Sequence, residues 1–218
     1  MNTFLRTLTD NWDVFSRGFT TTIMLFLVAA VGSLLVGTLL AAMRVSPIPA
    51  LRAFGTAYVQ LVRNTPLTLV FALLVFAVPK LDINIDYLPS ARIALVAYTS
   101  AFVCEVIRSG TNTVPTGQAE AGRALGLTFG QVLGSIVLPQ AFRSVVPPLM
   151  SVLIALLKNT TVAAGFSVFE AGAIPAYLSE RSENQTFVLL WIVIGFLILI
   201  APLIALQRML ERRWKLAR

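Results

Sequence analysis

Two short segments of this chain place a base, an amide and a hydroxyl in the same order. They are Arg63-Asn64-Thr65-Pro66 and Lys158-Asn159-Thr160-Thr161, and each interrupts an apolar run. A guanidinium or ammonium attracts a carboxylate, and the neighbouring amide and hydroxyl groups can hydrogen-bond to it. Charged groups at membrane depth are costly and mark functional sites. Arg63, Asn64, Thr65, Lys158, Asn159, Thr160 and Thr161 are therefore candidates for a substrate pathway. The same residues also suit a structural role, with the bases snorkelling or pairing and the short polar side chains capping broken helices. Glu105 and Arg108, three apart, read as an ion pair on one helix face, with gating as the alternative. Glu170 reads as a polar cap on a short helix or loop.

Other chemistry is excluded by composition. There is no histidine, and Cys104 is the one cysteine. A zinc or haem site and an intrachain disulfide are not expected. A P-loop needs glycines at fixed spacing before a lysine and a hydroxyl. Lys80, Lys158 and Lys215 follow no such pattern, so the chain does not itself hydrolyse ATP. No nucleophile–base pair is recognisable, and no catalytic residue is assigned.

The elements that must position these residues are membrane spans. Of 218 residues, 57% are apolar and 12% are charged, against about a quarter charged in soluble domains. Residues 20–43 and 185–207 hold no charge, and about 20 apolar residues cross a bilayer. Further spans are expected at about 53–79, 91–109 and 140–157. The second is broken near 63–66, because the residue before a proline leaves the helical region. The result is a single all-α transmembrane domain over residues 1–218, with five spans and a polar loop at about 110–139. No cleavable signal peptide is evident; the first long apolar run is of full spanning length.

Five spans put the two ends on opposite sides. With the C-terminus in the cytoplasm, the cytoplasmic segments hold Arg44, Arg52, Arg108, Arg123, Arg143 and the basic tail Arg208, Arg212, Arg213, Lys215 and Arg218. The outer segments hold Arg6, Arg17, Lys80, Arg92 and Arg181. That bias fits the positive-inside rule. The N-terminus is thus expected outside and the loop at 110–139 inside.

Residues 120–139 read EAGRALGLTFGQVLGSIVLP. Thr116 or Thr113 can cap a first short helix over 118–125, and Gly126 suits a left-handed position after it. Thr128 can cap a second helix over 129–137, whose Phe129, Val132, Leu133 and Ile136 share a face, and Pro139 is expected to stop or bend it. On these features alone the segment is either a docking knob or an ordinary interfacial loop.

Glu120-Ala121, with Gly126 and the ending Ile136-x-Leu138-Pro139, resembles the EAA loop of ATP-binding-cassette importer permeases. Gly122 stands where a second alanine is usual. Residues 61–69, 104–127, 137–149 and 155–163 are similar to the polar amino acid importers of this superfamily, and residues 38–52, 58–70 and 99–114 look most like the actinobacterial glutamate-uptake permeases. The resemblance implies the type I importer transmembrane fold. It implies that Glu120, Ala121, Gly122, Leu125 and Gly126 form a coupling helix that seats in a cytoplasmic ATPase. It also implies the partners: a second permease subunit, two ATPase subunits carrying ATP and magnesium, and an external amino acid binding protein, all at the bacterial cytoplasmic membrane. A secondary transporter or channel for a small polar solute is the alternative, but it has no reason for the loop's spacing.

Overall fold

The computed structural model describes residues 2–213, with the backbone alone at residue 2. Lys215 and Arg218, counted above with the basic tail, lie outside the described residues. The elements, in chain order, are α1 (Asn2–Thr9), α2 (Trp12–Val45), α3 (Pro49–Arg63), α4 (Leu67–Ala72), α5 (Tyr87–Thr111), α6 (Thr116–Ala124), α7 (Phe129–Gln131), α8 (Leu138–Asn159), α9 (Ile174–Ser179) and α10 (Gln185–Arg213). Helix α4 continues through a π turn (Leu73–Ala77) into a 3-10 turn (Val78–Leu81). Among the described residues there is no strand.

Among the described residues, four helical stretches are each long and apolar enough to cross a membrane: Trp12–Val45, Tyr87–Thr111, Phe129–Phe166 and Gln185–Arg213. The pair Pro49–Arg63 and Leu67–Leu81 is apolar enough together but is bent by 106° at the break. The register of α2 against α5 shows what this bent pair does. Gly32 lies against Val96, Gly37 lies against Val103, and Arg44 pairs with Glu105. The numbers rise together, so the two neighbours are parallel. Parallel neighbours require the chain between them to travel back along their whole length. It does so in two halves. Val59 of α3 packs with Leu40, Ala41, Ala101 and Cys104. Leu67 and Phe71 of α4 pack with Leu25, Ala29, Ala94 and Leu95 nearer the other end. The bent pair is thus a broken crossing, and the bundle has five.

Helix α8 runs antiparallel to α5, with Val145 over Gly110 and Asn159 near Tyr98. Helix α10 runs parallel to α2, with Val188 beside Val14 and Gly195 beside Phe19. Helix α1 and the segment before α10 therefore share one end of the bundle. Helix α6 and the end of α10 share the other.

Lipid is as apolar as leucine, so helices in a bilayer associate through close packing and hydrogen bonds. The α2–α5 seam is accordingly lined by small residues, including Ala29, Ala30, Ser33, Gly37, Ala94, Ser100 and Ala101. A Cβ on Gly37 would stand 2.6 Å from Val103 Cβ. On the outer face of α2, Met24, Leu27, Val31, Leu35 and Leu39 are exposed, as a lipid-facing stripe requires.

The starts of the first and fourth crossings differ from the sequence expectation. The first crossing begins at Trp12 rather than near 20, because Asp13, Ser16 and Arg17 fit a helix that extends past the apolar block. The fourth begins at Phe129 rather than near 140. Pro139 does not stop it. Its missing N–H and bulky ring would break a regular turn, and the chain widens into a π turn over Val132–Val137 immediately before α8. The second short helix of the loop is thus the first part of the fourth crossing. Pro147 and Pro148 sit inside α8 without ending it.

Candidate functional site

The polar loop folds as a helix, a tight reversal and a second helix start. Pro115, not a threonine, precedes α6, and no side chain caps it. Thr113 instead donates from Oγ1 to the Gly110 carbonyl (2.7 Å) and lies 2.8 Å from Ser144 Oγ, which ties the loop to α8. The C-terminus of α6 closes as a Schellman motif. The Gly126 N–H donates to the Arg123 carbonyl (2.9 Å) and the Leu127 N–H to the Gly122 carbonyl (3.1 Å). Gly126 has φ 81°, a conformation that glycine adopts at little cost. Thr128 then makes the reciprocal capping box with Gln131: Gln131 Oε1 accepts from the Thr128 N–H (2.9 Å) and Thr128 Oγ1 from the Gln131 N–H (3.4 Å).

This fold sorts the loop's side chains. Gly122 is buried, and a Cβ there would meet Ile136 Cδ1 at 2.8 Å and Val132 Cγ2 at 3.1 Å. Its small size serves the packing of α6 on its own chain. Glu120 and Ala121 face outward. Leu125 is 82% exposed and Phe129 is 77% exposed. Phe129 therefore parts from Val132, with which periodicity had grouped it. The loop offers two apolar side chains to its surroundings, flanked by Glu120 and Arg123.

A second feature lies between α5 and α8, where two cavities adjoin. One, of about 300 Å³, is lined by Tyr98, Thr99, Phe102, Ser151, Val152 and Asn159 among others. The other, of about 350 Å³, is lined by Arg63, Phe102, Glu105, Ser109, Thr113, Ser144 and Val152 among others. Phe102 and Val152 border both. Arg63 and Asn159, one from each interrupted segment, thus reach one groove. Asn64 and Thr65 turn back on their own helix, donating to the Gln60 (2.7 Å) and Leu61 (2.8 Å) carbonyls. Thr160 is fully buried and donates to the Leu157 carbonyl (2.8 Å); Thr161 donates to the Lys158 carbonyl (2.8 Å). Lys158 is exposed and lines neither cavity.

Glu105 is more than the partner of Arg108. It also pairs with Arg44 across 2.6 Å and with Arg63 across 3.6 Å. Arg63 additionally lies 5.6 Å from the centre of the Phe102 ring. Arg44 is counted above only as a loop charge, and nothing local in the sequence marks its partner. Thr99 and Phe102 are the other residues missed. Their i, i+3 spacing on α5 is the one available signal.

Glu170 is fully buried and does cap, accepting from the Gly172 N–H (2.7 Å) and from Thr22 Oγ1 (3.0 Å). Thr22 Oγ1 in turn accepts from the Ala171 N–H (3.0 Å). The short turns after α8 are thereby fastened to α2.

Comparisons with known proteins agree with this architecture. Residues 33–216 match the family model described as binding-protein-dependent transport system inner membrane component. The glutamate transport system permease protein GluC of Corynebacterium efficiens is 44% identical over 198 residues, covering 85% of this chain and 87% of that one. The probable glutamine permease GlnM of Bacillus subtilis is 34% identical over 208 residues, covering 94% of each. Among solved structures, an amino acid ABC transporter superposes with a TM-score of 0.89 at 24% identity, covering 95% of this chain and 97% of that one. The five crossings, the helical loop and these matches together place the chain in the family of binding-protein-dependent transport system inner membrane components, as a multi-pass membrane permease subunit.

Proposed function

We propose that this chain forms half of the translocation pathway of an ATP-driven importer for a polar amino acid, glutamate foremost. One observation carries the coupling role: Leu125 and Phe129 are exposed at the turn of an otherwise well-closed loop. Exposed apolar side chains clustered beside opposite charges fit a protein partner. In this reading the partner is an ATPase subunit that binds ATP and magnesium. Glu120, Ala121, Leu125 and Gly126 lie at the contact, and Gly122 holds α6 in place from behind. The loop and the C-terminus face the cytoplasm and α1 faces outside, in keeping with the bias of basic residues. A second permease subunit completes the pore, and an external binding protein delivers the amino acid. Nucleotide binding shifts the pore between its two states only through differential affinity for them, and the loop is where that difference enters. Arg63 and Asn159 line the substrate's route between α5 and α8; Asn64, Thr65, Thr160 and Thr161 shape the breaks that expose it, and Lys158 lies at its edge.

The test is reconstitution with the ATPase, the second permease and the binding protein, with ATP turnover measured against glutamate, glutamine and arginine. Stimulation by one amino acid through its binding protein is expected. Leu125→Asp should cut both ATPase co-purification and stimulated turnover, by roughly tenfold or more for a central apolar anchor. Glu120→Lys should weaken docking or coupling while the crossings remain inserted. Uptake by the chain alone without ATP would replace this reading with that of a secondary transporter.

A further inference from the structure

The groove between α5 and α8 has two unlike halves. The half at Thr99 and Asn159 carries no charged side chain. The other half is lined by Arg63 and Glu105, and Glu105 is paired as well with Arg44 and Arg108, which do not line the cavity. All three ion pairs among the described residues converge on Glu105. Three guanidinium groups share one carboxylate, which leaves two positive charges unmatched. They are not equally held. Arg44 is 12% exposed and bonds Glu105 tightly, whereas Arg63 is 43% exposed and stands 3.6 Å away. Arg108 Nε is buried without a hydrogen-bond acceptor among the described residues. On the far side of Phe102, Thr99 is 3% exposed and its hydroxyl also lacks a partner. Unmatched cations within a membrane-spanning bundle call for an anion. Planar guanidinium groups hold a carboxylate through paired hydrogen bonds.

We propose that the Arg63 half of this groove binds the side-chain carboxylate of an acidic amino acid, with Arg63 as the residue that distinguishes it from the neutral amide. The amino acid's backbone groups lie past Phe102 and Val152, at Thr99 and Asn159. Arg108 supports the same carboxylate from behind Glu105. This inference rests on the importer reading above and deepens it. It predicts a preference belonging to the permease itself, separate from that of the binding protein.

The experiment uses the purified permease–ATPase complex without binding protein and measures equilibrium binding of radiolabelled glutamate and glutamine. The wild type is expected to bind glutamate the more tightly. Arg63→Gln should weaken glutamate by about tenfold or more, the effect of losing one charge-assisted contact, while glutamine changes less than about threefold. Arg63→Lys keeps the charge and should restore part of the preference. Thr99→Val should weaken both amino acids alike. An Arg63→Gln complex that weakens both equally, or neither, overturns the proposal. So does a wild-type complex that binds neither amino acid yet raises ATP turnover with loaded binding protein, and that result leaves the importer reading standing. A wild-type complex whose turnover responds to no amino acid overturns the importer reading, and this one with it.

Discussion

Glu105→Gln removes the one carboxylate that Arg44, Arg63 and Arg108 share. Breaking a buried ion pair costs about 3–5 kcal/mol, and an exposed one about 0–1 kcal/mol. Glu105 is 22% exposed and Arg44 is 12% exposed, so the site lies toward the buried end. A cost of about 2–3 kcal/mol follows, most of it from the Arg44 guanidinium left unmatched between α2 and α5. For a chain of this size each kcal/mol moves the melting midpoint by about 2–4 °C, so a fall of roughly 4–12 °C is expected. Arg44→Met is milder, because Glu105 keeps Arg108 and Arg63. The double variant Arg44→Met/Glu105→Gln should recover at least about half of the loss, since the most enclosed charge is gone. The assay is thermal unfolding of the detergent-solubilised complex followed by tryptophan fluorescence. A single Glu105→Gln midpoint within about 2 °C of wild type, or a double variant whose losses simply add, refutes the reasoning.

Two further outcomes follow from particular contacts. Glu170→Ala should lower the melting midpoint clearly, because the Gly172 N–H and the Thr22 hydroxyl lose a buried acceptor at about 1–3 kcal/mol each; Glu170→Gln keeps a carbonyl acceptor for the Gly172 N–H, while its NH2 can donate to Thr22 Oγ1 as that hydroxyl turns to the Gly18 carbonyl (3.2 Å), so it should lie closer to wild type in the same measurement. Gly122→Val should lift α6 off Ile136 and Val132, at about 1–3 kcal/mol of overpacking, so that the ATPase still co-purifies but its amino acid-stimulated turnover falls; unchanged turnover would count against the packing role of Gly122.

Much of the architecture was legible because it rests on signals that are local in the chain. Uncharged runs marked the first and last crossings. Pro66 marked the break in the second. Thr128 announced a helix cap, and Gly126 announced a left-handed reversal; the reciprocal partner Gln131 was not marked. What escaped depends on partners far apart in sequence or on adaptation by the backbone. Arg44 and Glu105 meet only because α2 and α5 are parallel neighbours. The groove residues Thr99 and Phe102 gain their meaning from α8. Pro139 does not stop the helix, because the rule that proline ends a helix omits the option of a wider turn ahead of it. Gly122 was grouped with the coupling residues by resemblance alone; that a Cβ there would meet Ile136 and Val132 was not legible, because those residues reach it only when the loop folds back.

The continuous helical run from Phe129 to Phe166, with a π turn near its start and a 3-10 turn at its end, has 38 residues. At 1.5 Å per residue it measures about 57 Å, nearly twice the roughly 30 Å of hydrocarbon it must cross. The run is thus longer than the hydrocarbon it crosses, and the excess gives it leverage on whatever it meets at the α6 end. A tilt of about 5° with one end as pivot carries the other end through about 5 Å, so a small push at the surface becomes a stroke wider than the radius of a water molecule at the opposite face. The gearing runs both ways: a shift at the far end, beside the Glu170 fastening, returns to the loop as a displacement of the same size.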